Sequence, residues 1–146
     1  MIELFTDGAC RGNPGPGGWG VLIRRNGQDR DLSGSARETT NNRMELMAAI
    51  EGLAMLEDGS VVSLTTDSQY VRQGITQWVH NWQRNGWQTS NKQPVKNQDL
   101  WQRLDDQTQR LSISWFWVKG HSGHLENERA DQLANQAIDQ MLAAAL

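Results

Sequence analysis

The sequence predicts an α/β fold: a five-stranded mixed sheet, three antiparallel strands followed by two parallel ones, flanked by helices. Three observations lead there. Residues 2–36 hold three apolar or alternating runs separated by tight-turn chemistry, with no helical period among them. From residue 43 onward, helical segments alternate with two short β-branched runs, and strands joined by helical crossovers run parallel. The C-terminal segment carries one clear apolar stripe of helical period through Ala130, Leu133, Ala134, Ala137, Ile138, Met141 and Leu142.

Taken in order, residues 2–6 form a first strand that ends at Asp7-Gly8. The glycine- and proline-rich run 12–18 is turn chemistry, residues 19–25 a second strand, Asn26-Gly27 a hairpin turn and residues 30–36 a third strand. Thr39, Thr40, Asn41 and Asn42 offer helix N-caps before good helix formers over 43–56, and Asp58-Gly59 stops that helix. Residues 61–65 are a fourth strand. Asp67-Ser68 caps a helix reaching Trp78, followed by a break and a short helix, because Gly86 and Pro94 interrupt the pattern. A helix over 98–107, a fifth strand over 113–118, a loop at 120–123 and the striped helix complete one domain, residues 1–146. No repeat or linker divides it.

Composition narrows the class. The single cysteine, Cys10, excludes an internal disulfide and multi-thiolate zinc sites, and suits a reducing, cytoplasmic setting. No apolar run approaches the ~20 residues that span a bilayer, so no membrane is expected. The net charge of −3 argues against a nucleic-acid binder when taken alone. Charge placement reverses that: residues 82–103 hold Arg84, Lys92, Lys96 and Arg103 against Asp99 alone. Trp78, Trp82, Trp87 and Trp101 flank or interrupt this stretch, and aromatics among cations suit a nucleic-acid surface as well as a core.

Gly15-x-Gly17-x-x-Gly20 matches a dinucleotide fingerprint as a bare pattern but leads into a strand, where the fingerprint needs a helix N-terminus. The acids carry more. Asp7 and Asp67 follow two strands that parallel pairing would make neighbours, Glu45 lies in the first turns of an apolar helix, and Asp131 borders the apolar stripe of the last one. Each alone is ordinary cap or turn chemistry. Together the four can meet at one sheet edge, where clustered carboxylates repel and raise one another's pKa unless hard divalent cations join them. Two such ions can clamp a phosphodiester between attacking and leaving oxygens. Gly120 and Gly123 bracket His121, leaving it free to move and shuttle a proton; with His124, a zinc pair or plain surface histidines are the alternatives.

These residues resemble bacterial type 1 ribonuclease H. The matching segments are 5–8 and 12–20, then 39–46, 66–71, 117–124 and 126–131, in the family's order and over nearly the whole chain. The resemblance implies a ribonuclease H-like fold and hydrolysis of the RNA strand of RNA–DNA hybrids, leaving 5′-phosphate and 3′-hydroxyl ends. Asp7, Glu45, Asp67 and Asp131 would be catalytic metal ligands for one or two Mg2+ ions, with Mn2+ a substitute, and His121 would assist proton transfer or product release. Cys10, Asn13, Thr40, Asn41, Asn42, Gln69, Trp78, Asn81, Trp82 and Trp101 would contact substrate. Among them, Asn13, Asn41 and Gln69 would read the minor groove, Thr40 and Asn81 hold a DNA phosphate, and the tryptophans line the DNA strand.

The stretch 82–96 resembles the family's basic protrusion but carries Gln83, Asn85, Gln88 and Gln93 where relatives often have lysine or arginine. That implies weaker hybrid binding and a shallower salt dependence. A monomer without an obligatory protein partner is the expected state. The competing readings are a junction resolvase or integrase on the same fold, a non-catalytic hybrid-binding module, and an interaction domain whose acids merely cap turns.

Overall fold

The computed structural model describes residues 1–119 and 123–145. Its strands are β1 (Ile2–Cys10), β2 (Gly15–Arg25), β3 (Gln28–Thr39), β4 (Val61–Thr66) and β5 (Ser112–Trp117). They form one sheet in the order β3-β2-β1-β4-β5. The β1–β2 and β2–β3 pairs are antiparallel, and β1–β4 and β4–β5 are parallel, which is the mixed sheet the sequence predicts. The helices are α1 (Asn41–Ala54), α2 (Gln69–Gln73), α3 (Val79–Asn85), α4 (Gln98–Arg110) and α5 (Leu125–Ala144).

Adjacent residues of β2 face different helices. A Cβ on Gly17 would press on Met44 of α1, whereas Cβ atoms on Gly18 and Gly20 would overlap the carbonyl oxygens of Ala134 and Ala130 in α5. The sheet is therefore covered on both faces. On the α1 and α4 face, Leu4, Val21, Leu46, Ile50, Leu53, Val62, Leu64, Trp101 and Leu104 form the main core. Burying each such side chain contributes about 1.5–3 kcal/mol. On the other face, α5 buries Ala130, Leu133, Ala134, Ala137 and Ile138 of the expected stripe, whereas its last two positions emerge near the C-terminus, Met141 half-buried and Leu142 exposed.

Three expectations change. The first strand does not stop before Asp7: parallel pairing with β4 ends at Thr6–Thr66, but antiparallel pairing with β2 continues to Cys10–Gly17. Gly15, Gly17 and Gly18 are not turn residues but part of β2, where a side chain has no space: the carbonyls of Arg11 and Gly12 crowd Gly15, Thr39 and Ala9 crowd Gly17, and the Ala134 carbonyl of α5 crowds Gly18. The helix expected to break after Trp78 instead continues through one π turn, Gly74–Trp78, into α3. It stops at Gly86, which takes the left-handed conformation (φ 75) common at helix ends. The turn begins at Gly74, where any Cβ would overlap the Trp101 ring, so glycine is what lets the indole lie against the backbone.

Helix ends are set locally. Thr40 Oγ1 accepts from the Arg43 N–H (3.3 Å), capping α1, and Ser68 Oγ accepts from Val71 N–H (3.1 Å), capping α2. Arg110 extends α4 beyond the expected residue 107: its guanidinium donates to the carbonyls of Leu56 (2.7 Å) and Leu53 (2.8 Å) at the end of α1. No helix among the described residues is long and apolar enough to cross a membrane.

Candidate active site

The sheet brings three of the four predicted acids into one cluster. Asp7 lies on β1 one residue beyond its last parallel pair, and Asp67 directly follows β4, the strand beside it. Glu45 comes from the first turns of α1. One carboxylate oxygen from each of Asp7, Glu45 and Asp67 lies within 4.8 Å of the others. Asp131 arrives on α5, near enough for its charge to raise the Asp7 carboxyl but outside that tight set.

Gly8 makes this geometry possible. A Cβ there would overlap the backbone of Met44 and Glu45, so only glycine lets the start of α1 lie directly on β1. Gly20 does the same for α5 at Ala130, the residue before Asp131. The sequence places Gly8 at the end of the first strand and Gly20 within the second, and neither signals a helix packed against it. Asn127 adds a clamp, its Nδ2 donating to the Thr6 carbonyl (3.3 Å) next to Asp7.

The electrostatics are those of a site built for positive charge. Asp7 is only 7% exposed. Burial pushes its carboxyl up to about 8, with the negative charges of Asp67 and Asp131 adding to the rise, although the Gly8 N–H (2.9 Å) offsets part of it. Burial, then Asp7 and Asp67, holds Glu45 well above the usual carboxylate range. Glu45 Oε1 is buried with no hydrogen-bond partner among the described residues. An orphaned buried oxygen costs free energy that a ligand would recover. All-oxygen donors of this kind suit a hard divalent cation, so the residues present fit one.

The remaining predicted residues surround the cluster or support it. Asn13 Oδ1 accepts from the Asn41 N–H (3.1 Å), and Thr40 is occupied as the α1 cap, so both organise the helix start above Glu45. Asn41 and Gln69 are exposed first residues of α1 and α2, and Asn42 is half-buried beside them. Cys10 Sγ packs among the carbonyls of Gly12 (2.8 Å), Thr39 (3.4 Å) and Gly15 (3.6 Å), beneath the β1–β2 connection. Trp78 and Trp82 are half-buried neighbours (ring centroids 5.8 Å apart) on the π turn and α3, with Asn81 exposed between them.

Trp101 is a correction. It is 0% exposed, lies edge-on beneath Trp78 and Trp82, and donates its indole N–H to the Tyr70 hydroxyl (2.9 Å). It supports the aromatic surface from below and offers none itself. Arg103 is likewise paired, with Glu51 (3.0 Å), whereas Arg84, Lys92 and Lys96 are exposed. His121 lies outside the described residues. His124 caps α5, its Nδ1 accepting from the Asn127 N–H (3.3 Å).

The RNase H family model matches residues 1–139. The chain is 63% identical over 140 residues to a ribonuclease H of Hydrogenovibrio crunogenus, covering 96% of this chain and 97% of that one. It is 61% identical over 143 residues to a ribonuclease H of Halorhodospira halophila, covering 98% and 96% respectively. Among solved structures it resembles LC9-RNase H1, a type 1 RNase H with the type 2 active-site motif, with TM-score 0.84, 37% identity, and 95% of this chain and 72% of that chain covered. It also resembles LC11-RNase H1 in complex with an RNA/DNA hybrid, with TM-score 0.73, 27% identity, and 97% and 99% coverage. Fold, acid cluster and near full-length matches agree: the chain belongs to the RNase H family.

Proposed function

We propose that this chain is an endonuclease that hydrolyses the RNA strand of RNA–DNA hybrids, leaving 5′-phosphate and 3′-hydroxyl ends. The observation that carries this is the cluster of Asp7, Glu45 and Asp67, in which Glu45 keeps a buried oxygen without a partner among the described residues, in a chain of this family. Asp7, Glu45, Asp67 and Asp131 would hold one or two divalent cations, Mg2+ first and Mn2+ as a substitute. A cation held there would supply a more acidic bound water as nucleophile and positive charge for the leaving oxygen.

The protein's own groups do the rest. Asp7 and Glu45, whose buried carboxyls resist ionising next to other acids, would be eased into their charged form by a cation. His121 assists proton transfer or product release. Asn13, Asn41, Asn42 and Gln69 lie at the starts of α1 and α2 or bond to them, where side-chain amides can sense the 2′-hydroxyls of a wide minor groove, and Cys10 lies beneath. Thr40 and Asn81 hold a phosphate of the DNA strand, and Trp78 and Trp82 give that strand an apolar surface. The similar LC11-RNase H1 was solved with an RNA/DNA hybrid, which supports this substrate. The chain acts as one domain and one monomer, in the cytoplasm.

The test is a labelled hybrid beside duplex RNA, duplex DNA and single strands, each with Mg2+ or with chelator. Cutting confined to the RNA of the hybrid, and only with metal, is expected. Equal cutting of branched DNA would favour a resolvase, and hybrid binding without cutting in either metal would favour a non-catalytic module.

A further inference from the structure

Asp131 is the acid that stands apart from the tight cluster, and its hold on position comes from a residue one helical turn away. Asn135 Nδ2 donates both to the Asp131 carbonyl (3.0 Å) and to Asp131 Oδ1 (3.2 Å). The other end of the amide faces Arg11, whose Nη2 donates to Asn135 Oδ1 and to its carbonyl (3.4 Å each). Arg11 is itself fixed to Asp139 (2.7 Å). A guanidinium can only donate and a carboxylate only accept, so the two neighbours dictate which end of the amide faces which. The side chain is therefore oriented, and it occupies one oxygen of Asp131.

We propose that Asn135 is a positioning residue for the metal centre: it holds the Asp131 carboxylate in the rotamer that keeps it beside Asp7. This rests on reading the four acids as metal ligands. Groups that orient metal ligands typically account for about 10–100-fold in metal affinity. Asn135 touches neither the cluster of Asp7, Glu45 and Asp67 nor the residues assigned to substrate. Its loss should weaken metal binding and leave hybrid binding in chelator unchanged. The salt bridge behind it is exposed, 41% on Arg11 and 65% on Asp139, so the amide–carboxylate bond matters more than the ion pair.

The experiment titrates Mn2+ alone, by calorimetry, into wild type, Asn135→Ala and Asn135→Gln, with hybrid affinity measured in chelator. Asn135 is half-buried and alanine is the better helix former, so the Ala variant should unfold at the wild-type midpoint or above in chelator. The expected result is a loss of about tenfold in Mn2+ affinity for Asn135→Ala. Asn135→Gln, which keeps an amide donor at the same helical spacing, should recover most of it. The metal concentration giving half-maximal kcat should rise in parallel, with KM for hybrid unchanged. Wild-type Mn2+ affinity in Asn135→Ala overturns the positioning role, as does equal loss in both variants. Failure of wild type itself to bind Mn2+ overturns the metal-centre reading and the positioning role with it.

Discussion

Replacing Asp7 with asparagine should stabilise the metal-free protein while removing a residue assigned to catalysis. In the fold the Asp7 carboxyl sits at about 8 against an ordinary 3.8. Below about pH 4 it is protonated in both folded and unfolded chains and costs nothing. Between about 4 and 8 the unfolded chain ionises while the folded one stays protonated, so folding stability falls as pH rises, and above about 8 the cost is complete. At ~1.4 kcal/mol per pH unit, up to about 4 kcal/mol is lost by pH 7. Sharing of the charge with Glu45, Asp67 and Asp131, and relaxation of the site, bring the expected gain from Asp7→Asn to on the order of 1–3 kcal/mol. For a chain of this length, each kcal/mol is about 2–4 °C in Tm. Urea unfolding in chelator, followed by tryptophan fluorescence from pH 4.5 to 9, measures it. Wild-type stability should decline across the window and the variant should be flatter. Equal stability at pH 7, or a wild-type profile that is level from pH 5 to 8, would refute the burial and repulsion assigned to this site.

Gly8→Ala should cost about 1–3 kcal/mol, because its methyl group would have to displace the α1 backbone at Met44 and Glu45; urea unfolding checks the cost, and Mn2+ titration checks that affinity falls with it. His121→Ala should slow single-turnover cleavage by on the order of 100-fold without ending it. Gln88→Lys with Gln93→Lys should tighten hybrid binding and steepen the dependence of log affinity on log salt by about 0.7–0.9 per phosphate engaged, read from binding at several salt concentrations. The other two polar positions of the protrusion are committed internally, Gln83 to Asp105 (2.6 Å) and Asn85 to the backbone of Gln88 (2.9 Å), so lysines there should gain less.

The elements that position the site were legible because their signals are local. Alternation and turn chemistry mark the β1–β3 meander, Ser68 and Thr40 are caps at helix starts, and the stripe on α5 matches the residues it buries from Ala130 to Ile138. The meeting of Asp7, Glu45 and Asp67 followed from placing acids at the ends of parallel neighbours. What stayed hidden depends on close approach between distant segments. Gly8 reads as a strand end and Gly20 as an ordinary strand residue because nothing in their neighbours announces a helix packed on the strand. Trp101 read as surface because its company is basic, yet the π turn and Gly74 draw it beneath Trp78 and Trp82. The i, i+4 spacing of Asp131 and Asn135 was visible, but the anchor at Arg11 lies across the fold.

The claim that this carboxylate cluster is the cutting centre is tested most directly by single-turnover cleavage of a hybrid in Mg2+ by wild type and Asp7→Asn, with hybrid affinity measured in parallel. Loss of on the order of 1000-fold in rate, about 4 kcal/mol of transition-state stabilisation, with affinity changed only a few fold, is the predicted result. Near-native cleavage by folded Asp7→Asn would contradict it.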